Sequence, residues 1–389
     1  MSKFYFFMNS IEKPPQFETG PEVMKLPEFD VREEKGATLL SILLKGHDSD
    51  WGGHNHQLSS EIEKFFEQNP LDEKSIKFLE EIKALEDGGV DEEALYNIAL
   101  TYEHSEREEE LFDFINKHKD YIKNPQKLRS DLISTLKKLE DTLPSELTNR
   151  FVEATDEDIE KRNQKIHEIQ ERTKNLIDFF KPSPQTTKVK RIILSPTDFL
   201  YRKESGSAFQ FGDETILRSH IDNPSNLEHE FLHSVINPIV DKLSEKLSDK
   251  QKQKISKLGS HRLRVEENYG EGFYSLLCEE FIRTYNDVVQ RGEKPMTHED
   301  FVQKINEIDE DKFVELLQKN KTLKSRCEQL GIKKLQDLKD NSQEYFDRFE
   351  CNELRDIVFS FYQKYIQEKE KDDKITFEEF VLKEFEKEI

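Results

Sequence analysis

Within Asn226-Leu227-Glu228-His229-Glu230-Phe231-Leu232-His233-Ser234-Val235-Ile236-Asn237-Pro238, two histidines stand four residues apart, with a glutamate directly after the first. Residues four apart share one face of a helix, so His229 and His233 can offer two imidazole nitrogens to a single zinc ion. Glu230 lies about 100° around the helix from His229, off the metal but within reach of a water that the metal polarises. A carboxylate in that place can act as general base. Leu227, Phe231, Leu232, Ser234 and Val235 are uncharged in a chain that is 36% charged. That is the setting of a helix packed into a core rather than of a solvated one.

Two histidines do not complete a catalytic zinc site, which takes three protein ligands and an open position. The extended pattern HExxHxxGxxH would need glycine at 236 and histidine at 239, and both positions are isoleucine. An inverted HxxEH is not present either. The remaining common solution is a glutamate on a downstream helix. Periodicity predicts such a helix over Glu266–Gln290, with Phe273, Leu276, Leu277, Phe281, Ile282, Tyr285, Val288 and Val289 turned inward. Glu266, Glu267 and Glu271 fall near its start, where acids are expected for the helix dipole alone. Glu279 and Glu280 fall mid-helix among apolar residues, where an unpaired carboxylate is costly and a metal would compensate one of them. Arg283, one turn past Glu279, could hold it in place. Spacing leaves Glu279 and Glu280 both open. Tyr269, His261, Arg283 and Tyr285 are candidates to stabilise an oxyanion, and no spacing selects among them.

The run Glu228 to Pro238, followed by Glu279-Glu280-Phe281-Ile282-Arg283-Thr284, resembles an uncharacterised bacterial family of HExxH proteins. In that family HEF-x-HS-x-x-NP precedes E-x-(I/V)-(I/V)-R-(A/T). The Ala37–Lys45 and Arg191–Arg218 stretches are similar as well, so the resemblance covers residues from about 25 to 290. It implies zinc (Zn2+) on His229, His233 and Glu279, with Glu230 catalytic, as in gluzincin-type peptidases acting on peptide or protein substrates. Members of the family often begin with a secretion signal. Here the apolar run near Phe4–Met8 is too short for a signal-peptide core.

The elements that must position these residues are mostly helices. Ala37–Lys45 is an apolar helix that should be buried. Further helices are expected from Ser59 or Ser60, from Asp72, from Asp91, around Leu111–Ile115, over Leu128–Leu139 and from about Asp156 to Phe180. Lys181-Pro182-Ser183-Pro184 stops the last of them. Strands are expected at Phe29–Arg32, Lys190–Ser195, Ser207–Phe211 and, past a turn at Gly212-Asp213-Glu214, Thr215–Arg218. A small sheet before an HExxH helix matches the zincin plan, in which an edge strand lies along the cleft and pairs with an extended substrate. Pro238 should kink or end the metal helix. The expected fold class is mainly α (α+β), with a helical N-terminal lobe (1–181), a zincin-like metal-binding core (185–295) and a helical C-terminal extension (296–389).

Two other stretches imitate metal sites. Gly46 to His56 gathers three histidines, two aspartates and the only tryptophan, as a second site or a cleft lining would, but glycine-rich loops collect polar residues by solvation alone. Asp372–Phe380 copies half of a calcium loop, yet Asp373 replaces its turn glycine, and Thr376 with Glu379 reads more simply as a capping box.

With 389 residues the chain can hold two or three domains. Lysine and arginine number 59 against 81 acids, a net charge of −22, which opposes phosphate backbones and anionic membranes. No stretch approaches the length of apolar chain needed to span a bilayer. Cys278, Cys327 and Cys351 lack metal-type spacing and read as reduced thiols, so a cytoplasmic protein is expected. The composite expectation is a zinc metallopeptidase without nucleic-acid or membrane partners. The contrasting reading is a helical interaction protein, or a zincin remnant whose zinc is structural, closed by a fourth ligand such as His220, His261 or the 47–56 loop.

Overall fold

A computed structural model describes residues 22–32, 34–47, 57–87, 98–99, 101–104, 124–187, 189–194, 206–211, 214–219, 224–266 and 272–388. The fold is mainly α-helical with one small sheet. Strand β1 (Glu28–Val31) leads into α1 (Lys35–His47), α2 (Gln57–Gln68) and α3 (Glu73–Asp87). Helix α4 (Pro125–Thr142) and the 36-residue α5 (Ser145–Phe180) follow. Strands β2 (Arg191–Leu194), β3 (Gly206–Phe211) and β4 (Glu214–Ser219) come next, directly before α6 (Pro224–Lys246), which carries the HExxH motif. Helices α7 (Asp249–Leu258) and α8 (Phe273–Thr284) complete the central part. Five short helices then succeed one another: α9 (His298–Asn306), α10 (Glu310–Lys319), α11 (Lys321–Gln329), α12 (Leu335–Asp340) and α13 (Ser342–Tyr345). Helices α14 (Glu353–Lys371) and α15 (Phe377–Glu384) close the chain. Among the described residues no helix is long and apolar enough to cross a membrane.

The sheet runs β1-β2-β4-β3, with β1, β2 and β4 parallel and β3 antiparallel at the edge. Strand β2 shows why a four-residue apolar run suffices at its centre. Ile192 and Leu194 belong to the core around α6, while Ile193 belongs to the core of the N-terminal helices. Successive side chains point to opposite faces, so one strand is buried on both sides and reads as continuously apolar. The sheet is the partition between two cores.

The N-terminal core packs α1, α2 and α4 with Leu40, Leu43, Ile62, Leu132 and Leu136. Asp72 accepts from the Ser75 N–H at 2.8 Å and so starts α3, as expected. Ser59, expected as a cap, lies inside α2 and is buried. Helix α5 begins at Ser145 rather than near Asp156, because Leu147 and Phe151, one turn apart, are buried in the N-terminal core and carry the helix back that far. It ends at Lys181, in the left-handed region at φ 47, before Pro182.

Pro238 neither ends nor caps α6, which continues to Lys246. Val235, Ile236, Ile239, Val240 and Leu243 are all buried on either side of the proline, and that packing outweighs the lost backbone hydrogen bond. The downstream helix starts at Phe273, after Gly272, and not at Glu266; Arg262–Glu266 forms a separate, wider turn, as does Tyr285–Gln290 beyond Thr284. Glycine is a poor helix former, which accounts for the later start.

Residues 296–389 distribute over two cores. Phe301, Ile305, Phe313, Leu335, Leu338, Tyr345 and Phe349 make a core of their own. Helices α14 and α15 instead return to the core of α6 and α8, where Phe361, Tyr362, Tyr365, Phe377 and Phe385 pack. Residues 296–351 are thus a module inserted between two pieces of the central core. The Thr376–Glu379 capping box is formed, with Thr376 Oγ1 accepting from the Glu379 N–H. The loop from Asp48 to His56, the helix expected around Leu111–Ile115, Gly212-Asp213, His220, Tyr269, Glu267 and Glu271 lie outside the described residues.

Candidate metal centre

Helices α6 and α8 pack against each other through Phe231, Val235 and Leu232 on one side and Leu276, Leu277 and Phe281 on the other, all buried in one core. That contact sets Glu279 opposite the two histidines. His229 Nε2 lies 3.7 Å from Glu279 Oε2, and His233 Nε2 lies 3.4 Å from Glu279 Oε1. The three ligating atoms are all within 4.8 Å of one another. Tetrahedral ligands about 2.1 Å from zinc stand roughly 3.4 Å apart, so this donor set fits the ion. The imidazole rings are 5.2 Å apart at 75° and leave their Nε2 atoms turned to the carboxylate.

Neighbouring side chains orient the three. His233 Nδ1 is 3.3 Å from Asn237 Oδ1, one helical turn on. An N–H donated there leaves the Nε2 lone pair for a metal. Arg283 Nε donates to Glu279 Oε2 at 2.9 Å, also from one turn on. Burial opposes a charged Glu279, but the His233 hydrogen bond, the two histidines and Arg283 hold its carboxyl well below the usual range. For His233 burial likewise disfavours the charge, and the Glu279 bond together with the Glu230 and Glu279 charges overrides it, lifting the imidazole to about 9. Glu230 is half-buried on α6. Burial raises it to about 7; the His233 charge opposes that rise and the Glu279 charge adds to it. A protonated histidine is the form a cation would replace.

The choice that spacing left open is decided by direction. Glu280, next along α8, faces α14: its Oε1 accepts from Asn352 Nδ2 at 2.6 Å, and the side chain is 1% exposed. Burial raises its pKa against the pull of Asn352, Arg355 and Arg283. Glu279, not Glu280, joins the histidines.

Of the oxyanion candidates, Tyr285 is buried in an aromatic cluster, its ring 4.8 Å from Phe180 and 5.0 Å from Phe179. Burial raises its hydroxyl pKa, and the nearby Glu228 charge adds to the rise. The His261 ring packs edge-on against Phe349 at 5.0 Å, and Arg283 is engaged with Glu279. Sequence reasoning passed over Glu228. It is 6% exposed, and its two oxygens are held from two other elements, by Arg172 of α5 at 3.1 Å and by Gln290 of the turn after α8 at 2.8 Å. These bonds fix the rotation of α6 against α5 and α8. The only signal in the sequence was a second carboxylate, beside Glu230, in an otherwise largely apolar helical run.

No family model matches the chain, and no curated protein or solved structure matches it either.

Proposed function

We propose that the protein is a zinc-dependent metallopeptidase of the gluzincin kind, with zinc on His229, His233 and Glu279 and Glu230 as general base. The observation that carries this reading is the meeting of the HExxH pair with a buried carboxylate from a second helix, at distances of 3.4 and 3.7 Å. Zinc in such a ligand set acidifies a water and polarises a carbonyl. Glu230 supplies the proton acceptor beside the triad: it takes a proton from the attacking water and returns it to the leaving amine. Arg283 and Asn237 keep Glu279 and His233 in register.

Two features favour an open catalytic site over a closed structural one. The His229 and His233 side chains are 23% and 24% exposed, so the site can be approached from outside. Among the described residues no fourth His, Cys, Asp or Glu joins the group. Strand β3, at the edge of the sheet and packed against α6, offers a backbone that an extended peptide can pair with. Cys278, Cys327 and Cys351 are unpaired, which fits a reducing, cytoplasmic setting.

The test is zinc content together with cleavage of a peptide library by the wild type and by Glu230→Gln. The expected outcome is one zinc per chain in both proteins, with hydrolysis lowered about 10²–10⁴-fold in the variant. Absence of zinc from both, or cleavage that survives the substitution, ends the reading.

A further inference from the structure

The inserted module takes no part in the metal triad, and one stretch of it carries a charge opposite in sign to that of the whole chain. Residues 319–339 hold seven lysines and arginines and two acids, within a protein of net charge −22. Three of those cations are matched: Lys319 by Glu315 at 2.8 Å, Arg326 by Glu350 at 2.6 Å and Lys334 by Asp337 at 4.0 Å. Lys321, Lys324 and Lys333 make no ion pair among the described residues, and all three are exposed.

These three lysines rim one groove. Helix α10 ends at Lys319 and α11 begins at Lys321, so Asn320 alone turns the chain and the two helices form a hairpin. The valley between them has a volume of about 610 Å³. Its floor is Val314 and Leu317 on α10 with Cys327 and Ile332 at the far end, and Val314 is 42% exposed. Glu328 is the one acid along it. A large exposed valine beside half-buried leucine, edged by uncompensated lysines, is an apolar strip with a positive border.

We propose that this groove docks an acidic amphipathic helix of a partner protein. The valley between two helices is the complement of the ridge of a third, whose apolar residues at i and i+3 or i+4 would lie along Val314 and Leu317, with the buried Ile332 beneath. Acidic residues flanking that ridge would meet Lys321, Lys324 and Lys333, giving the contact its orientation and its association rate. A nucleic acid is the poorer match: its phosphates would leave the apolar floor uncovered, and no aromatic ring lines the groove to stack a base. The assignment does not depend on the metal site.

Binding to the full-length protein tests it by fluorescence anisotropy. The probes are a labelled, glutamate-rich peptide of about 16 residues with leucines at helical spacing, its lysine-for-glutamate counterpart, and a labelled oligothymidylate. The acidic peptide should bind, with affinity falling as salt is raised, and the lysine peptide should not. Lys321→Glu with Lys324→Glu and Lys333→Glu should weaken the acidic peptide about tenfold or more. Val314→Ser, which changes no charge, should weaken it severalfold, and circular dichroism should show both variants folded. Equal binding by the wild type and the triple variant overturns the proposal, as does no binding by the wild type. Unaltered binding by Val314→Ser overturns the apolar groove, and tighter binding of the oligothymidylate, lost in the triple variant, overturns the choice of occupant.

Discussion

Beneath His229 and His233 the central core buries three carboxylates, Glu228, Glu279 and Glu280, at 6%, 5% and 1% exposure, whereas the core of residues 296–351 buries no charged side chain. Both cores are otherwise built alike, from phenylalanine, leucine and tyrosine in edge-to-face and tilted contacts. The difference is not one of hydrophobicity. A buried carboxylate costs several kcal/mol unless it is answered. Each of the three is answered by a different element: Glu228 from α5 and the turn after α8, Glu279 from α6 and Arg283, Glu280 from Asn352 at the start of α14. The central core spends its polar contacts on fixing where α6, α8 and α14 stand relative to one another. The module keeps its charges on the surface, where they bear on partners rather than on geometry.

The sharpest way to separate the two regions is to open a cavity in the module. Phe313 is fully buried there, and Phe313→Ala should cost about 3–5 kcal/mol in chemical denaturation. Zinc stoichiometry should be unchanged, since no member of the triad lies within residues 296–351. Loss of zinc alongside the module's unfolding would show that the two cores stand or fall together, through contacts such as that of the His261 ring with Phe349 of the module.

A charge removed from each region should have unlike consequences. Arg283 touches Glu279, and Arg326 makes its ion pair with Glu350 inside the module. Arg283→Ala should weaken zinc binding about 10–100-fold, as loss of a partner to a ligating carboxylate does. Arg326→Ala should leave zinc affinity alone and cost about 1 kcal/mol of stability. Calorimetric titration of zinc into both metal-free variants checks the pair, and equal zinc affinities would erase the distinction between the two regions.

Much of this arrangement could be read in the amino-acid order, and the failures have a common cause. A periodicity of two or of 3.6 shows which face of an element is apolar, so β1, α1, the strand before the metal helix and the Thr376 capping box were all legible. Periodicity does not show what an element meets. Glu279 and Glu280 look alike on a helical wheel, and only the neighbours, α6 for one and α14 for the other, tell them apart. Glu228 has no role legible in its own neighbourhood, and its partners Arg172 and Gln290 come from far along the chain. Pro238 reads as a kink or a stop, and it is not a stop, because its local cost is visible in the sequence and the burial that outweighs it is not. Tyr285 reads as a candidate for chemistry by its hydroxyl, while its ring is committed to Phe179 and Phe180.

The most local effect is expected of two glycines that occupy the same backbone conformation in the two regions. Gly331 ends α11 at φ +68, where its N–H reaches the Glu328 carbonyl at 3.1 Å and the Ile332 N–H reaches that of Cys327 at 2.8 Å. That is a Schellman cap, with Ile332 and Cys327 both buried beneath it. Gly292, also at φ +68, stands where the chain leaves the central core for the module. A Cβ at either position meets nothing within 4 Å, so the penalty for alanine is one of backbone conformation and not of space. Gly331→Ala and Gly292→Ala should therefore each cost about 1–2 kcal/mol, and asparagine, which tolerates the left-handed region better, less than alanine. Hydrogen exchange should place the first loss in α11 and α12 and the second in the turn after α8. A loss at Gly292 that spreads across both regions would make that residue a coupling point between them, and the two cores would then be one cooperative unit.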